Sequence, residues 1–210
     1  LSHRRGPDGG ERSERSQRRH YRGSLFGIVQ GNFFEDLRRE SAAELTELDF
    51  PGYAIGGLSV GEPSELFTAF VASTAELLPV EKPRYVMGIG TPDYVLDAVE
   101  HGVDMFDCVF PTRAGRNGTV LTRQGRLALK NAKHRLDPEP IEEGCDCSAC
   151  LRYSRGYLRH LFKAGEILGP VLATEHNLAF MKRLTDGIRR SIQEGAFSAF
   201  KRDFLRDYER

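Results

Sequence analysis

RYVMGIGTPDYVLDAVEHGVDMFDCV, residues 84–109, contains a complete strand–helix–strand unit. Arg84 to Gly88 is a short run ending in glycine, the pattern of a buried strand. Thr91, Pro92 and Asp93 then supply an N-cap, a first-turn proline and an acidic first turn. Val95, Leu96, Ala98 and Val99 follow at helical spacing, Gly102 stops the helix, and Val103 to Val109 (VDMFDCV) reads as the next strand. Working toward the N-terminus, the same alternation recurs. Leu25 to Gln30 (LFGIVQ) and Tyr53 to Gly57 (YAIGG) read as strands. One is followed by a stripe of Phe34, Leu37, Ala42, Leu45 and Leu48, the other by Leu66, Phe67, Phe70, Val71, Thr74, Leu77 and Leu78. Such alternation means an α/β fold of parallel βαβ units, in a doubly wound sheet or a (β/α)8 TIM barrel; the pattern leaves those two open. Each strand ends in a polar or glycine-rich set: Gln30-Gly31, Gly56-Gly57-Leu58, Met87-Gly88 and Asp107-Cys108. In a barrel these ends converge on one mouth, where active sites sit.

The chain has 210 residues and 40% hydrophobic content, enough for a real core, and its 30 basic residues balance 30 acidic ones. An anionic partner must therefore be held by local charge placement rather than by an overall field. No long apolar run or secretory h-region is visible, so neither membrane insertion nor export is expected and the reading is cytoplasmic. Residues 1–23 are rich in Arg, Gly and Ser with few apolar side chains, and a disordered basic tail is expected there.

Cys145-x-Cys147-x2-Cys150 crowds three of the four cysteines into six positions, the fourth being Cys108. That is a metal-site pattern rather than a secreted disulfide framework. With one histidine the set suits a tetrahedral structural zinc, leaving no open position for chemistry. On spacing alone His134 and His160 compete with His176 for the fourth place; the helix-like setting Thr174-Glu175-His176-Asn177-Leu178 favours His176.

The strings LFGIVQG (25–31), YAIGGLSVGE (53–62), RYVMGIGTP (84–92), GVDMFDCVFPTRAGRNG (102–118) and CDCSAC with EHN (145–150, 175–177) together resemble the tRNA-guanine transglycosylase family. The resemblance runs from about Ser24 to the C-terminus. It implies a (β/α)8 TIM barrel with a zinc-bearing insertion, acting on the anticodon loop of tRNA and exchanging wobble guanine for a 7-deazaguanine. It places Asp107 as the nucleophile that displaces guanine from the ribose C1′ through a covalent glycosyl-aspartate. A carboxylate suits that work because it can stabilise an oxocarbenium-like centre and then form and leave an ester. Asp104 is the nearby rival, but at an odd offset on a strand it points to the other face. Gln30, Gly57, Leu58 and Met87 match base-binding positions, and Glu62 matches a glutamate supporting the base-reading peptide. Val60 matches the bacterial pattern, which implies preQ1 as incoming base. Gly88, Ile89, Gly90, Thr91, Pro92, Asp93 and Tyr94 match an RNA-facing segment. So do Thr112, Arg113, Ala114, Gly115 and Arg116, where the two arginines offer planar forks to phosphate or base edges. Cys145, Cys147, Cys150 and His176 match the zinc ligands. A homodimer is implied by the family alone.

The implied organisation is a tail over 1–23, four β/α units of a barrel over 24–130, a zinc subdomain over 131–176 and closing helices over 177–210. The family's first four strands have no counterpart in this sequence, so little turnover is expected from this chain alone. Two other readings stand beside it. A non-catalytic accessory subunit would need neither Asp107 nor the base pocket, and an unrelated barrel hydrolase would need zinc with an open coordination site.

Overall fold

The computed structural model describes residues 23–58, 61 and 63–208. The basic segment through residue 22, with Val60 and Glu62, lies outside the described residues. Four short parallel strands alternate with helices: β1 (Gly27–Val29), α1 (Glu35–Glu47), β2 (Tyr53–Ile55), α2 (Ser64–Glu76), β3 (Arg84–Val86), α3 (Pro92–Glu100), β4 (Met105–Phe106) and α4 (Phe110–Arg116). An antiparallel hairpin follows, β5 (Thr119–Thr122) with β6 (Gly125–Ala128), then α5 (Ser148–Arg152), α6 (Arg155–Ala164), α7 (Leu168–Gln193) and α8 (Phe197–Tyr208).

The four parallel strands lie in sequence order, β1-β2-β3-β4. They show no reversal of the kind that marks the switch point of a doubly wound sheet. The chain is thus α/β with a parallel sheet, and the described residues do not close it into a barrel. In register, Val29, Ile55, Val86 and Phe106 form one row, and Ile28, Ala54, Tyr85 and Met105 the opposite one. The first row carries the core: Val29, Ile55 and Val86 are fully buried against Phe67, Phe70, Val71 and Leu78 of the α2 segment and Ala98 of α3. Across the sheet, Ile28 and Met105 remain 43% and 46% exposed.

Two sequence expectations need correction. The strand expected over 103–109 shrinks to Met105–Phe106, because the side chains at both ends leave the ladder. Asp104 Oδ2 accepts from the Arg84 N–H at 2.9 Å, and Asp107 Oδ1 from the Gly88 N–H at 3.1 Å. The α1 stripe holds only in part: Ala42 is buried and Leu45 packs on the core, but Phe34, Leu37 and Leu48 are exposed, while Arg38 is 1% exposed. Its Nε donates to Asn32 O at 2.6 Å and its Nη2 to Gly56 O at 3.0 Å, tying together the loops that follow β1 and β2. Burying a guanidinium is tolerable only with such partners.

A second body of core surrounds α7, which runs unbroken through residues 176–177. Val120, Leu129, Ile141, Leu158, Leu161, Leu172 and Ala173 pack around the cysteine cluster. A third patch joins Val95 and Leu96 of α3 to Phe180, Leu184, Ile188 and Phe204 of α7 and α8. At the α4–α7 crossing the backbones nearly touch: a Cβ on Gly115 would sit 2.8 Å from Thr174 Cα. Since that obstacle is backbone, Gly115→Ala should lower stability by about 1–3 kcal/mol. Urea unfolding reads this directly; an unchanged midpoint would mean the crossing is looser than described.

Candidate active site and metal centre

The C-terminal ends of β1 to β4 bring the sequence-marked residues into a row. After β1 the Gln30 amide lies against the glycines following β2, so that a Cβ on Gly56 would be 2.6 Å from Gln30 Nε2 and one on Gly57 3.0 Å from Gln30 Oε1. Gly57 has φ +71, which disfavours any side chain. Leu58 drops into the core at 7% exposure. Met87 is half-buried after β3, and the exposed Gly88 donates its N–H to Asp107 after β4.

Asp107 is exposed and held on one side only. Its Oδ1 takes the Gly88 N–H and, at 2.5 Å, the Tyr85 hydroxyl. Among the described residues Oδ2 has no hydrogen-bond partner. Asp104, by contrast, is committed to the other end of β3 through the Arg84 N–H. Tyr85 was not singled out in the sequence, although register would have found it: Tyr85 pairs with Met105, and Asp107 lies two residues on, hence on the same face. The hydrogen bond to Asp107, with burial adding, pushes the Tyr85 phenol up from 10.0 to about 12. The phenol therefore stays protonated and donating at neutral pH. Because the folded value lies above the unfolded one, the contact's contribution is complete below pH 10 and is lost as pH rises through about 12.

The two segments expected from the sequence to face RNA divide by burial. Ile89, Gly90 and Pro92 are buried, with Gly90 against the Cys108 side chain, while Thr91 and Asp93 are half-buried. Thr91 sits at the N-cap of α3 as expected, but its hydroxyl makes no capping hydrogen bond; among the described residues Thr91 Oγ1 and Asp93 Oδ1 are shielded atoms without a partner. Tyr94 packs edge-on to Phe67. In α4, Ala114 and Gly115 turn toward α7, Thr112 Oγ1 donates to Val109 O, and Arg113 and Arg116 are exposed.

The metal set assembles from the α5 turn and mid-α7. The three sulfurs of Cys145, Cys147 and Cys150 and the imidazole of His176 lie within 4.8 Å of one another. The Sγ–Nδ1 distances to His176 are 3.7, 3.5 and 3.4 Å. A tetrahedron with ordinary Zn–S and Zn–N bonds has such edges at about 3.5 Å, so the donor set fits zinc. His176 Nε2 lies 2.8 Å from Leu121 O, which fixes the tautomer and aims Nδ1 at the sulfurs. His134 pairs instead with Asp137 at 2.8 Å, and His160 sits beside Tyr157. Hydrogen bonding from Cys150, with His176 adding, holds the Cys147 thiol down to about 3; burial raises Cys145, and the bond to Cys147 raises Cys150. Arg183 Nη1 donates to Cys145 Sγ at 2.9 Å and Nη2 to Glu142 at 2.5 Å. Four protein donors make this a structural centre that ties the cysteine loop to α7.

Asn177, beside the histidine, is a second residue the sequence did not mark. Fully buried, it donates to Pro111 O at 2.8 Å and Thr119 O at 3.1 Å and accepts from the Leu121 N–H at 2.9 Å. One α7 side chain thus pins the start of α4 and the strand β5. Metal analysis of purified variants should find about one zinc per wild-type chain, retention in His160→Ala and loss in His176→Ala. Zinc retained in His176→Ala would remove that residue from the site. Uptake should weaken with acidification, because thiolates must be freed of protons to bind.

The family model described as Queuine tRNA-ribosyltransferase matches residues 9–210. Proteins named Queuine tRNA-ribosyltransferase are similar along most of the chain. The one from Pelotomaculum thermopropionicum is 58% identical over 185 residues, covering 88% of this chain and 50% of the relative. That from Natranaerobius thermophilus is 55% identical over 186 residues, 89% of this chain and 50% of its own. The Methylobacillus flagellatus protein is 55% identical over 181 residues, 86% and 49% respectively. The chain spans about half the length of the curated relatives it matches. With the strand-end aspartate, the glycine-lined row and the set of three cysteines and one histidine in place, the chain belongs to the queuine tRNA-ribosyltransferase family.

Proposed function

We propose that the chain carries the nucleophilic half of a tRNA-guanine transglycosylase site, exchanging wobble guanine in an anticodon loop for preQ1. One observation supports it above the others: Asp107 has one oxygen anchored by Tyr85 and Gly88 and the other, among the described residues, without a hydrogen-bond partner at the strand ends. In this reading Asp107 Oδ2 attacks the ribose C1′ as the C1′–N9 bond to guanine breaks, giving a glycosyl ester. The incoming base, losing its N9 proton, then attacks C1′ and releases the carboxylate. Holding Oδ1 by two donors fixes the carboxylate for attack and stabilises it again as a leaving group.

Gln30 and the peptide at Gly57 and Leu58 would read the edge of the base, with Met87 against its ring. Thr91, Asp93, Arg113 and Arg116 would face the RNA strand around the extruded nucleotide. The preference for preQ1 comes from resemblance at Val60, and the supporting role of Glu62 likewise. The four β/α units would form one wall of a (β/α)8 barrel, with Ile28 and Met105 facing its interior. The domain limits given above, a homodimer and a cytoplasmic setting belong to the same reading. Among the described residues no helix is long and apolar enough to cross a membrane.

The test is denaturing intact-mass analysis after incubation with an anticodon stem-loop bearing wobble guanine. A covalent RNA adduct is expected from the wild type and none from Asp107→Asn. It reads a single displacement and needs no turnover. An accessory subunit would give no adduct from either, and an adduct persisting in Asp107→Asn would move the nucleophile elsewhere. Tyr85→Phe, which removes one hydrogen bond to a charged group, should slow adduct formation roughly 10- to 100-fold with zinc content unchanged. An unaltered rate would reduce Tyr85 to a packing residue.

A further inference from the structure

We infer that a cationic cleft between the β5–β6 hairpin and the loop entering the zinc cluster is a second RNA surface, gripping the phosphate backbone of the stem that flanks the target nucleotide. The inference rests on the reading of the chain as an RNA-modifying protein but assigns a site apart from Asp107 and the strand-end row.

The hairpin turns back along α4, so its far end returns to the level at which α4 begins. Arg126 of β6 lies 4.8 Å over the ring of Phe110, three residues after Asp107. Burial raises the phenol of Tyr208 at the end of α8, and the same guanidinium opposes that rise. One cation of the cleft thus packs on the start of α4, three residues after Asp107.

Its volume is about 840 Å³, bounded by the hairpin on one side and residues 141–145 on the other. That is too large for one phosphate and suits a run of backbone. Five cations line it: Arg123, Arg126, Lys133, Arg155 and Arg183. They face two carboxylates, Glu142 and Glu143. Glu142 is already taken, by Arg183 Nη2 and by the Arg123 N–H at 2.6 Å. Arg155 pairs with Asp137 at 3.4 Å. Arg126 and Lys133 have no ion-pair partner among the described residues, and both are exposed. Arg123 pairs with Asp207 at 3.6 Å, so in a chain of zero formal net charge the cations of the cleft left without an ion pair among the described residues are Arg126 and Lys133, beside Glu143. Duplex and single-stranded backbones are bound through such positions without regard to sequence.

The experiment is fluorescence anisotropy of the 210-residue chain with a labelled anticodon stem-loop RNA, across roughly 50–200 mM salt. Compared are the wild type, the double variant Arg126→Gln with Lys133→Gln, and Arg135→Gln, an exposed cation outside the cleft. Circular dichroism and zinc content serve as checks of folding. The double variant should bind at least ~10-fold more weakly at low salt, with the slope of log affinity against log salt reduced by about 1.5, while Arg135→Gln keeps the wild-type slope. Equal slopes for the wild type and the double variant would overturn the cleft, as would a wild type that binds no RNA. An altered slope with no Asp107 adduct would leave the cleft standing and remove the base-exchange reading. An adduct with equal slopes would do the reverse.

Discussion

Asn177 places a complete amide in a fully buried junction, and the start of α4 and the strand β5 are fixed to α7 by it at once. Pro111 O, Thr119 O and the Leu121 N–H all end on that side chain. Leaving even one such buried group unpaired costs about 1–3 kcal/mol, so the junction outweighs the exposed ion pairs of the surface. The neighbouring residue in α7 is His176, whose Nε2 reaches the Leu121 carbonyl while its Nδ1 faces three cysteines. Metal ligation and the placement of α4 are therefore properties of adjacent residues on one helix. Gly115 completes the arrangement by letting α4 approach α7 almost backbone to backbone.

The parallel sheet supplies the other half of the site. Three bonds from the side chains of Asp104 and Asp107 to β3 replace what a longer strand would achieve by its ladder, one at each end of β3 and one through Tyr85. The result is a short strand with a firmly placed carboxylate beyond it. Arg38 does the equivalent for the loops after β1 and β2, setting Gly56 and hence the Gln30 side chain that lies over it. The Gln30–Gly57 side of the row is thus held by a buried cation and the Asp107 side by the Tyr85 phenol.

Much of this was legible beforehand, for physical reasons. The strand-end residues and the cysteines are contiguous strings, so Gln30, Gly57, Asp107 and the cysteines at 145, 147 and 150 could be read directly. Three features were hidden because they depend on contacts distant in sequence. Arg38 reads as an exposed helical residue and is buried only because Asn32 and Gly56 turn their carbonyls to it. Tyr85 is an ordinary strand aromatic until parallel register brings it opposite Met105. Asn177 finds partners 56, 58 and 66 residues away. Helical periodicity placed Ala42 and Leu45 correctly but misplaced Phe34, Leu37 and Leu48, because Arg38 shares the inward face of α1 with Ala42 and Leu45.

The metal-anchored α7 determines where α4 and β5 sit, and so the surroundings of Asp107. Hydrogen-exchange mass spectrometry of the zinc-loaded and the chelated chain tests this most directly. Removing the metal should raise exchange in residues 110–122 as well as in the cysteine loop, with β1 and β2 little changed. Exchange that rises only over residues 141–150, leaving α4 and β5 as protected as before, would contradict it.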